Sequence, residues 1–490
     1  MRAIRLFSLV CLTLDIALVF AEEPPAQPNI VVVMSDDHGQ WATGAYGFDD
    51  VDTPNIDWLA AQGVRFENSM SPAPVCSPAR ASFYTGKMPS QHGVHDFLRD
   101  SLDFDAGWLK GETLLSQRLR KEGYRTALIG KWHATTDGRI PQPGFDRWLS
   151  HDAFKLGWQS QYLHSGTVYF SKDAKSLEYT GVQARFLTEE AIHFIDESSD
   201  QPFFISLNLV EPHSPFAGLP ERLVSKYRGL SRRNVPAGGS SQLPESGASA
   251  RTPGDHDEQF AQYLAAVNLI DEQVGRLLDA LQGRGLLDNT IVVYTSDHGL
   301  LMGQYGLYGK TNATSPPNFY EETIRIPLIV YGPERHVRRS QVRSEFVDLL
   351  DLHTTILDFA TTEGVTQSDY GPGRSMRPLL SGKRQTGWRD VQFAERGYAR
   401  MVTDGRWKLV RIYHRDPEQP PTDTWYDLAH PFGEMRPSDG VSPVTRERLT
   451  EKLQAFFNKY ETPDHSGRNV WQQPPQNPLV CKDLEIDCPK

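Results

Sequence analysis

Four apolar runs in this sequence end in polar residues of unusual kinds. Residues 30–34 (IVVVM) lead into Asp36, Asp37 and His38. Residues 126–129 (TALI) lead into Lys131 and His133, and residues 203–209 (FFISLNL) into His213. Residues 291–295 (IVVYT) lead into Asp297 and His298. Short β-branched runs read as buried strands, and in a parallel α/β sheet ligands bind outside the carboxyl ends of the strands. One sheet edge would then collect three carboxylates, several histidines and a lysine. Carboxylates crowded together resist ionisation unless a cation joins them. Carboxylate oxygens suit Ca²⁺ or Mg²⁺, so both Asp-containing motifs are candidate metal-binding segments.

A cysteine is the second chemical feature. The chain opens with a basic MRAIR and an apolar run to Phe20, interrupted by Asp15, with Ala21 as a small residue for cleavage. This reads as a secretory signal peptide, so the protein is expected to be secreted or periplasmic. Of four cysteines, Cys11 falls in that leader, and Cys481 and Cys488 are close enough in sequence to pair in an oxidising compartment. Cys76 is left over, and an odd cysteine in an exported protein needs an explanation.

The surroundings of Cys76 supply one. Residues 74–86 read PVCSPARASFYTG, which resembles the sulfatase signature, in which Cys-x-Pro-Ser/Ala-Arg directs oxidation of the cysteine to Cα-formylglycine. Residues 123–133, GYRTALIGKWH, are similar to the second signature of the same family. The resemblance runs from about residue 28 to residue 460. It implies the alkaline-phosphatase-like fold of the formylglycine-dependent type I sulfatases and hydrolysis of a sulfate ester. Residue 76 would attack sulfur as a hydrated aldehyde, and sulfate would then be expelled as the second hydroxyl loses its proton. Maturation would need a separate formylglycine-generating enzyme.

The resemblance also implies roles. The metal ligands would be Asp36, Asp37, Asp297, His298 and the modified Cys76. Many relatives carry Asn where this chain has His298; Ca²⁺ is nonetheless expected ahead of Mg²⁺. Arg80 would steady the diol, one helical turn beyond Cys76. Lys131 and His133 would hold the second diol oxygen and the sulfate, with His133 as base. His213 would contact sulfate and protonate the leaving alcohol. Lys310 matches, by order and spacing, the family lysine downstream of the second Asp motif. His95 and Asp96 are candidate substrate contacts. The alternative within the superfamily is a phosphodiesterase or phosphonate monoester hydrolase.

Positioning these groups requires an α/β fold. The apolar runs, with a fifth at 326–330 (IPLIV), alternate with helical stretches at 54–61, 113–122, 258–281 and 346–359. A large, mainly parallel or mixed sheet between helices is expected. The Gly-, Ser- and Pro-rich stretch at 236–255 reads as a surface loop or lid. Beyond residue 380, strands at 393–398, 399–403 and 407–412 and a helix at 446–460 suggest a smaller α+β subdomain with a short antiparallel sheet. The expected division is 1–21 leader, 22–380 catalytic domain and 381–490 subdomain.

Composition limits the partners. Lys and Arg number 51 against 62 Asp and Glu, a formal net charge of −11. An acidic chain lacks the basic footprint of a nucleic-acid binder. No stretch beyond the leader is long and apolar enough to span a membrane. A sulfated glycan is the expected substrate. Trp148, Trp158, Tyr162, Tyr169 and Phe170 form an aromatic-rich insertion that could stack on sugars or pack in the core.

Overall fold

The computed structural model describes residues 27–99, 107–198, 201–230, 240–245, 255–361, 363–383, 385–430, 433–474 and 476. The expected leader, the expected Cys481–Cys488 pairing and most of the expected 236–255 loop lie outside the described residues. Along the chain the strands are β1 (Asn29–Ser35), β2 (Val64–Met70), β3 (Arg125–Gly130), β4 (Arg147–His151), β5 (Ser165–Lys172), β6 (Lys175–Val182), β7 (Phe203–Asn208) and β8 (Thr290–Ser296). They continue with β9 (Leu301–Met302), β10 (Tyr308–Gly309), β11 (Leu328–Tyr331), β12 (Gln341–Asp348), β13 (Gln392–Arg396), β14 (Ala399–Thr403), β15 (Trp407–Ile412) and β16 (Thr422–Asp427).

Ten of these make one sheet in the order β12-β2-β11-β8-β1-β7-β3-β4-β5-β6. Its middle, β8-β1-β7-β3-β4, is parallel, whereas β11 and the β5–β6 hairpin run antiparallel to their neighbours. The fold is thus a large mixed sheet between helices, with β13 to β16 forming a separate four-stranded antiparallel sheet.

The β-branched runs are apolar throughout because both faces of the sheet are covered. In β1, Val31 and Val33 enter one core while Ile30, Val32 and Met34 enter the other. The first core receives helix α1 (Pro54–Gln62) and the helices Gln183–Asp196 and His256–Gly283. The second receives α2 (Cys76–Thr85) and the helices Leu115–Lys121 and Leu349–Ala360. No helix of the described residues is long and apolar enough to cross a membrane.

Register aligns the strand ends. Ser35 pairs with Ser296, Met34 with Asn208, and Asn208 with Gly130. The residues that follow, Asp36, Asp297 and Lys131, therefore leave the sheet along one edge.

Some elements differ from the sequence-based expectation. The helix expected at 346–359 begins at Leu349, because Phe346, Val347 and Asp348 still pair with β2. Asp348 then caps that helix by accepting from the Leu350 and Asp351 amides. The strands β2, β5, β6, β12 and β16 mix charged and apolar residues, as strands with an open face do, so they lack the continuous apolar signal. The aromatic insertion mostly packs inward. Trp148 and Phe170 are buried, the former against Trp132 and Phe145.

Candidate active site

The site is built on loops that leave β1, β3, β7 and β8 and on the N-terminus of α2. Two of its residues stand in the left-handed region that side chains seldom adopt. Asp37 has φ 66° and His133 has φ 51°. Such conformations persist where the surroundings impose them, and they concentrate at functional sites. The loops after β3 and β8 use glycine for close approach. A Cβ on Gly130 would collide with the Asn208 carbonyl, and one on Gly299 with the Glu322 carbonyl.

Cys76 is the first residue of α2, all ten residues of which are buried. Its sulfur lies 3.4 Å from Asp36 Oδ1, 3.3 Å from His298 Nε2 and 3.0 Å from Lys310 Nζ. Burial pushes the thiol up, but Lys131, Lys310 and His298 outweigh it and hold the group well below its ordinary range. The positive end of α2 adds a field that favours an anion here. This is the setting of a reactive group rather than of an inert core thiol.

Around the sulfur, one buried donor atom from each of Asp36, Asp37, Cys76 and His298 falls within 4.8 Å of every other. His298 Nδ1 faces the Gly299 carbonyl at 2.9 Å and donates to it, which aims Nε2 at Asp37 Oδ1, 3.3 Å away. Burial lowers the His298 pKa, yet Asp297, Cys76 and Asp37 raise it to about 9. A divalent cation would compete with that proton for the Nε2 lone pair. The carbonyl that fixes the ring is the usual support of a ligating histidine. Asp297 stands beside the four. Its Oδ2 accepts from Arg80 Nε at 3.0 Å, and its Oδ1 accepts from the amides of Asp37 and His298 at 3.2 and 2.9 Å. Burial and the neighbouring Asp36 push the Asp297 carboxyl up. The donor set therefore fits a divalent cation in chemistry and in spacing.

Cations line the other side. Lys131 Nζ pairs with Asp36 Oδ2, and Lys310 Nζ donates to Asp37 Oδ1 at 2.7 Å. Arg80 donates from Nη1 to the Lys131 carbonyl at 2.9 Å. Burial raises the Asp36 carboxyl, but Lys131, His213 and Arg80 hold it below the usual carboxylate range. Two polar atoms in this shell are buried and make no hydrogen bond, Arg80 Nη2 and His133 Nδ1. His133 Nε2 donates to the Leu98 carbonyl at 2.6 Å, which fixes the ring. Arg80 Nη2 stands 3.9 Å from Asp36 Oδ1, and His133 helps to hold the Cys76 thiol down, so both groups act at the position of residue 76. His213 turns Nε2 toward Asp37 Oδ2, 3.7 Å away.

Ten of the residues expected from the sequence thus converge: Cys76, Arg80, Lys131, His133, His213, Lys310, Asp36, Asp37, Asp297 and His298. His95 and Asp96 are committed elsewhere. His95 is 1% exposed and donates from Nε2 to the His465 carbonyl at 2.6 Å. Asp96 is 4% exposed and pairs with Arg396 at 3.1 Å. Their segment reaches the site through the Leu98 backbone instead. His38, which follows the first Asp pair, faces Tyr294 and the Ala42 carbonyl, and burial lowers its pKa to about 4. Asn208 was not anticipated. It donates to the Lys131 carbonyl at 2.8 Å and to Tyr84, tying β7 to the cationic wall. A polar residue closing the apolar FFISLN run was its signal.

Comparison with known proteins agrees with this architecture. Residues 28–362 match the sulfatase family, and residues 303–454 match the C-terminal region of N-sulphoglucosamine sulphohydrolase. The chain belongs to the sulfatase family and is a sulfuric ester hydrolase. It is 28% identical to an N-acetylglucosamine-6-O-sulfatase of Bacteroides thetaiotaomicron, over 90% of this chain and 88% of that one. A solved structure described as in complex with its substrate D-glucosamine-2-N,6-O-disulfate shares 25% identity with a TM-score of 0.70, covering 89% of this chain and 99% of its own. The phosphonate monoester hydrolase of Agrobacterium radiobacter shares the fold, with 22% identity and a TM-score of 0.67 over 88% of this chain and 96% of its own.

Proposed function

We propose that this protein removes the sulfate ester from a sulfated sugar, using residue 76 after oxidation of its cysteine to Cα-formylglycine. The observation that carries the reading is the meeting at Cys76 of a cation-binding donor set and three fixed positive side chains. Formylglycine would supply a hydrated aldehyde as nucleophile. A divalent cation, with Ca²⁺ ahead of Mg²⁺, would be held by Asp36, Asp37, Asp297, His298 and residue 76 and would stabilise negative charge on oxygen.

The chain's own residues do the rest. Arg80, Lys131 and Lys310 form a preorganised cradle for the equatorial oxygens of the sulfuryl group. His213 delivers a proton from Nε2 to the departing alcohol, and His133 accepts one at Nδ1. The leader supports export, where extracellular glycans are met. The names of the similar proteins support a sulfated amino sugar as substrate class.

The test is product analysis on matched aryl sulfate and aryl phosphate esters, followed by a panel of sulfated monosaccharides including N-acetylglucosamine 6-sulfate. Release of sulfate in preference to phosphate is expected. Preferred phosphate release would favour a phosphodiesterase or phosphonate monoester hydrolase instead.

A further inference from the structure

Two chain segments meet behind the sulfate-facing groups at two points. One is the 3-10 turn Trp158–Tyr162 with the residues leading into β5; the other is the loop after β7. The Tyr162 ring lies on the His213 imidazole, with centroids 4.1 Å apart and planes 14° from parallel. Two residues forward on the first segment and two back on the second, His164 Nδ1 stands 3.7 Å from Glu211 Oε1. The pairs 162–213 and 164–211 run in opposite directions, like two rungs. All four side chains are buried.

Each rung also touches the site. Lys131 Nζ sits 4.7 Å from the centroid of the Tyr162 ring, so that ring contacts one proposed sulfate ligand and one proposed acid. The Glu211 carbonyl accepts from the Asp36 amide at 3.1 Å, so the lower rung holds the backbone of a proposed metal ligand. Neither carboxylate oxygen of Glu211 and neither ring nitrogen of His164 makes a hydrogen bond. Burying polar groups without hydrogen bonds is costly, and here each faces the other's polar atoms across 3.7 Å.

We propose that Tyr162 is a positioning residue for His213, with the His164–Glu211 pair holding the two segments in register. His213 Nδ1 is engaged by the Ser214 carbonyl, which anchors one end of the ring. The remaining freedom is a tilt about the Cβ–Cγ bond, and the stacked Tyr162 ring blocks it. With the tilt blocked, Nε2 stays on the side of the site where the leaving oxygen departs. This inference rests on the reading that His213 protonates the leaving alcohol.

That role has a signature that a purely structural one lacks. Nitrophenolate leaves without a proton, whereas a sugar alkoxide needs one. Misplacing His213 therefore harms the sugar ester selectively. Disturbing Lys131, which would bind the sulfate common to both esters, harms both alike.

The experiment measures kcat on 4-nitrophenyl sulfate and on N-acetylglucosamine 6-sulfate for wild type, Tyr162→Leu, Tyr162→Phe, His213→Ala and the Tyr162→Leu/His213→Ala double variant. Tyr162→Leu should lower the sugar-ester rate by about 10- to 100-fold more than the aryl-ester rate, since any loss through its contact with Lys131 falls on both esters alike. Tyr162→Phe keeps the ring and should preserve the ratio of the two rates. In the His213→Ala background, Tyr162→Leu should add no further selective loss. Equal loss on both esters, or a selective loss that persists without His213, overturns the proposal. Should Tyr162→Leu not fold, His164→Gln carries the same test: a selective loss supports the staple, and an equal loss overturns it. Wild-type protein that releases sulfate from neither ester would overturn the proposed function itself and this inference with it.

Discussion

Lys310 Nζ lies 3.0 Å from Cys76 Sγ, and the same ammonium reaches Asp37 Oδ1 at 2.7 Å. One cation thus bridges the proposed nucleophile and a proposed metal ligand. Burial lowers the Lys310 pKa, but Asp37 and Cys76 raise it above the ordinary lysine range, so it stays charged at any working pH. Lys310→Ala should lower kcat by about 10²- to 10³-fold, the usual effect of losing one preorganised charge in a site shut off from water. Steady-state kinetics on 4-nitrophenyl sulfate check this. A kcat within a few-fold of wild type would return Lys310 to the status of a loop lysine.

Metal selectivity should depend on what stands at position 76. With cysteine in place, the cluster Asp36, Asp37, Cys76 and His298 offers one sulfur, one imidazole nitrogen and carboxylate oxygens. That mixture suits Zn²⁺. Replacing sulfur by oxygen shifts the set toward Ca²⁺ or Mg²⁺. Protein with Cys76 unconverted, equilibrated with equal Zn²⁺ and Ca²⁺, should retain zinc, and converted protein should retain calcium. Elemental analysis of the two forms decides, and identical metal content would contradict the expectation.

How far was this arrangement visible beforehand? The central strands and the ten converging residues were legible because both cores cover the sheet, which leaves runs such as IVVVM apolar in every position. Their register then sends Asp36, Asp297 and Lys131 out along one edge. Lys310 is legible only by order and spacing, since it follows the two-residue strand β10 and carries no periodicity. The roles of Tyr162, His164 and Glu211 were invisible. Each depends on a contact between segments about 50 residues apart, and local sequence does not encode such a meeting. The contacts of His95 and Asp96 are of the same long-range kind. Their partners His465 and Arg396 belong to distant parts of the chain.

Stability should carry a pH dependence from Glu322, whose backbone carbonyl packs against Gly299. Burial, with help from the neighbouring Glu321 charge, pushes its carboxyl up to about 7 from an ordinary 4.5. Its Oε2 makes no hydrogen bond. The folded state therefore keeps a proton that the unfolded chain has already released. That contribution is full below pH 4.5 and is lost as pH rises through about 7. Glu322→Gln keeps the neutral shape and does not titrate. Relative to the Gln variant, wild type should lose about 3 kcal/mol of stability between acidic and mildly alkaline pH. Urea unfolding of both proteins at the two extremes measures this. Parallel pH profiles would show that Glu322 titrates in the fold as it does in the unfolded chain, and would contradict the shift.

The most direct measurement for the whole account is sulfate release from 4-nitrophenyl sulfate by wild type and by Cys76→Ala, prepared in the same host with a formylglycine-generating enzyme present. The account predicts turnover by the wild type, together with an aldehyde in place of the thiol in the peptide that carries residue 76. It predicts loss of turnover in the variant. Undiminished sulfate release by Cys76→Ala would contradict it.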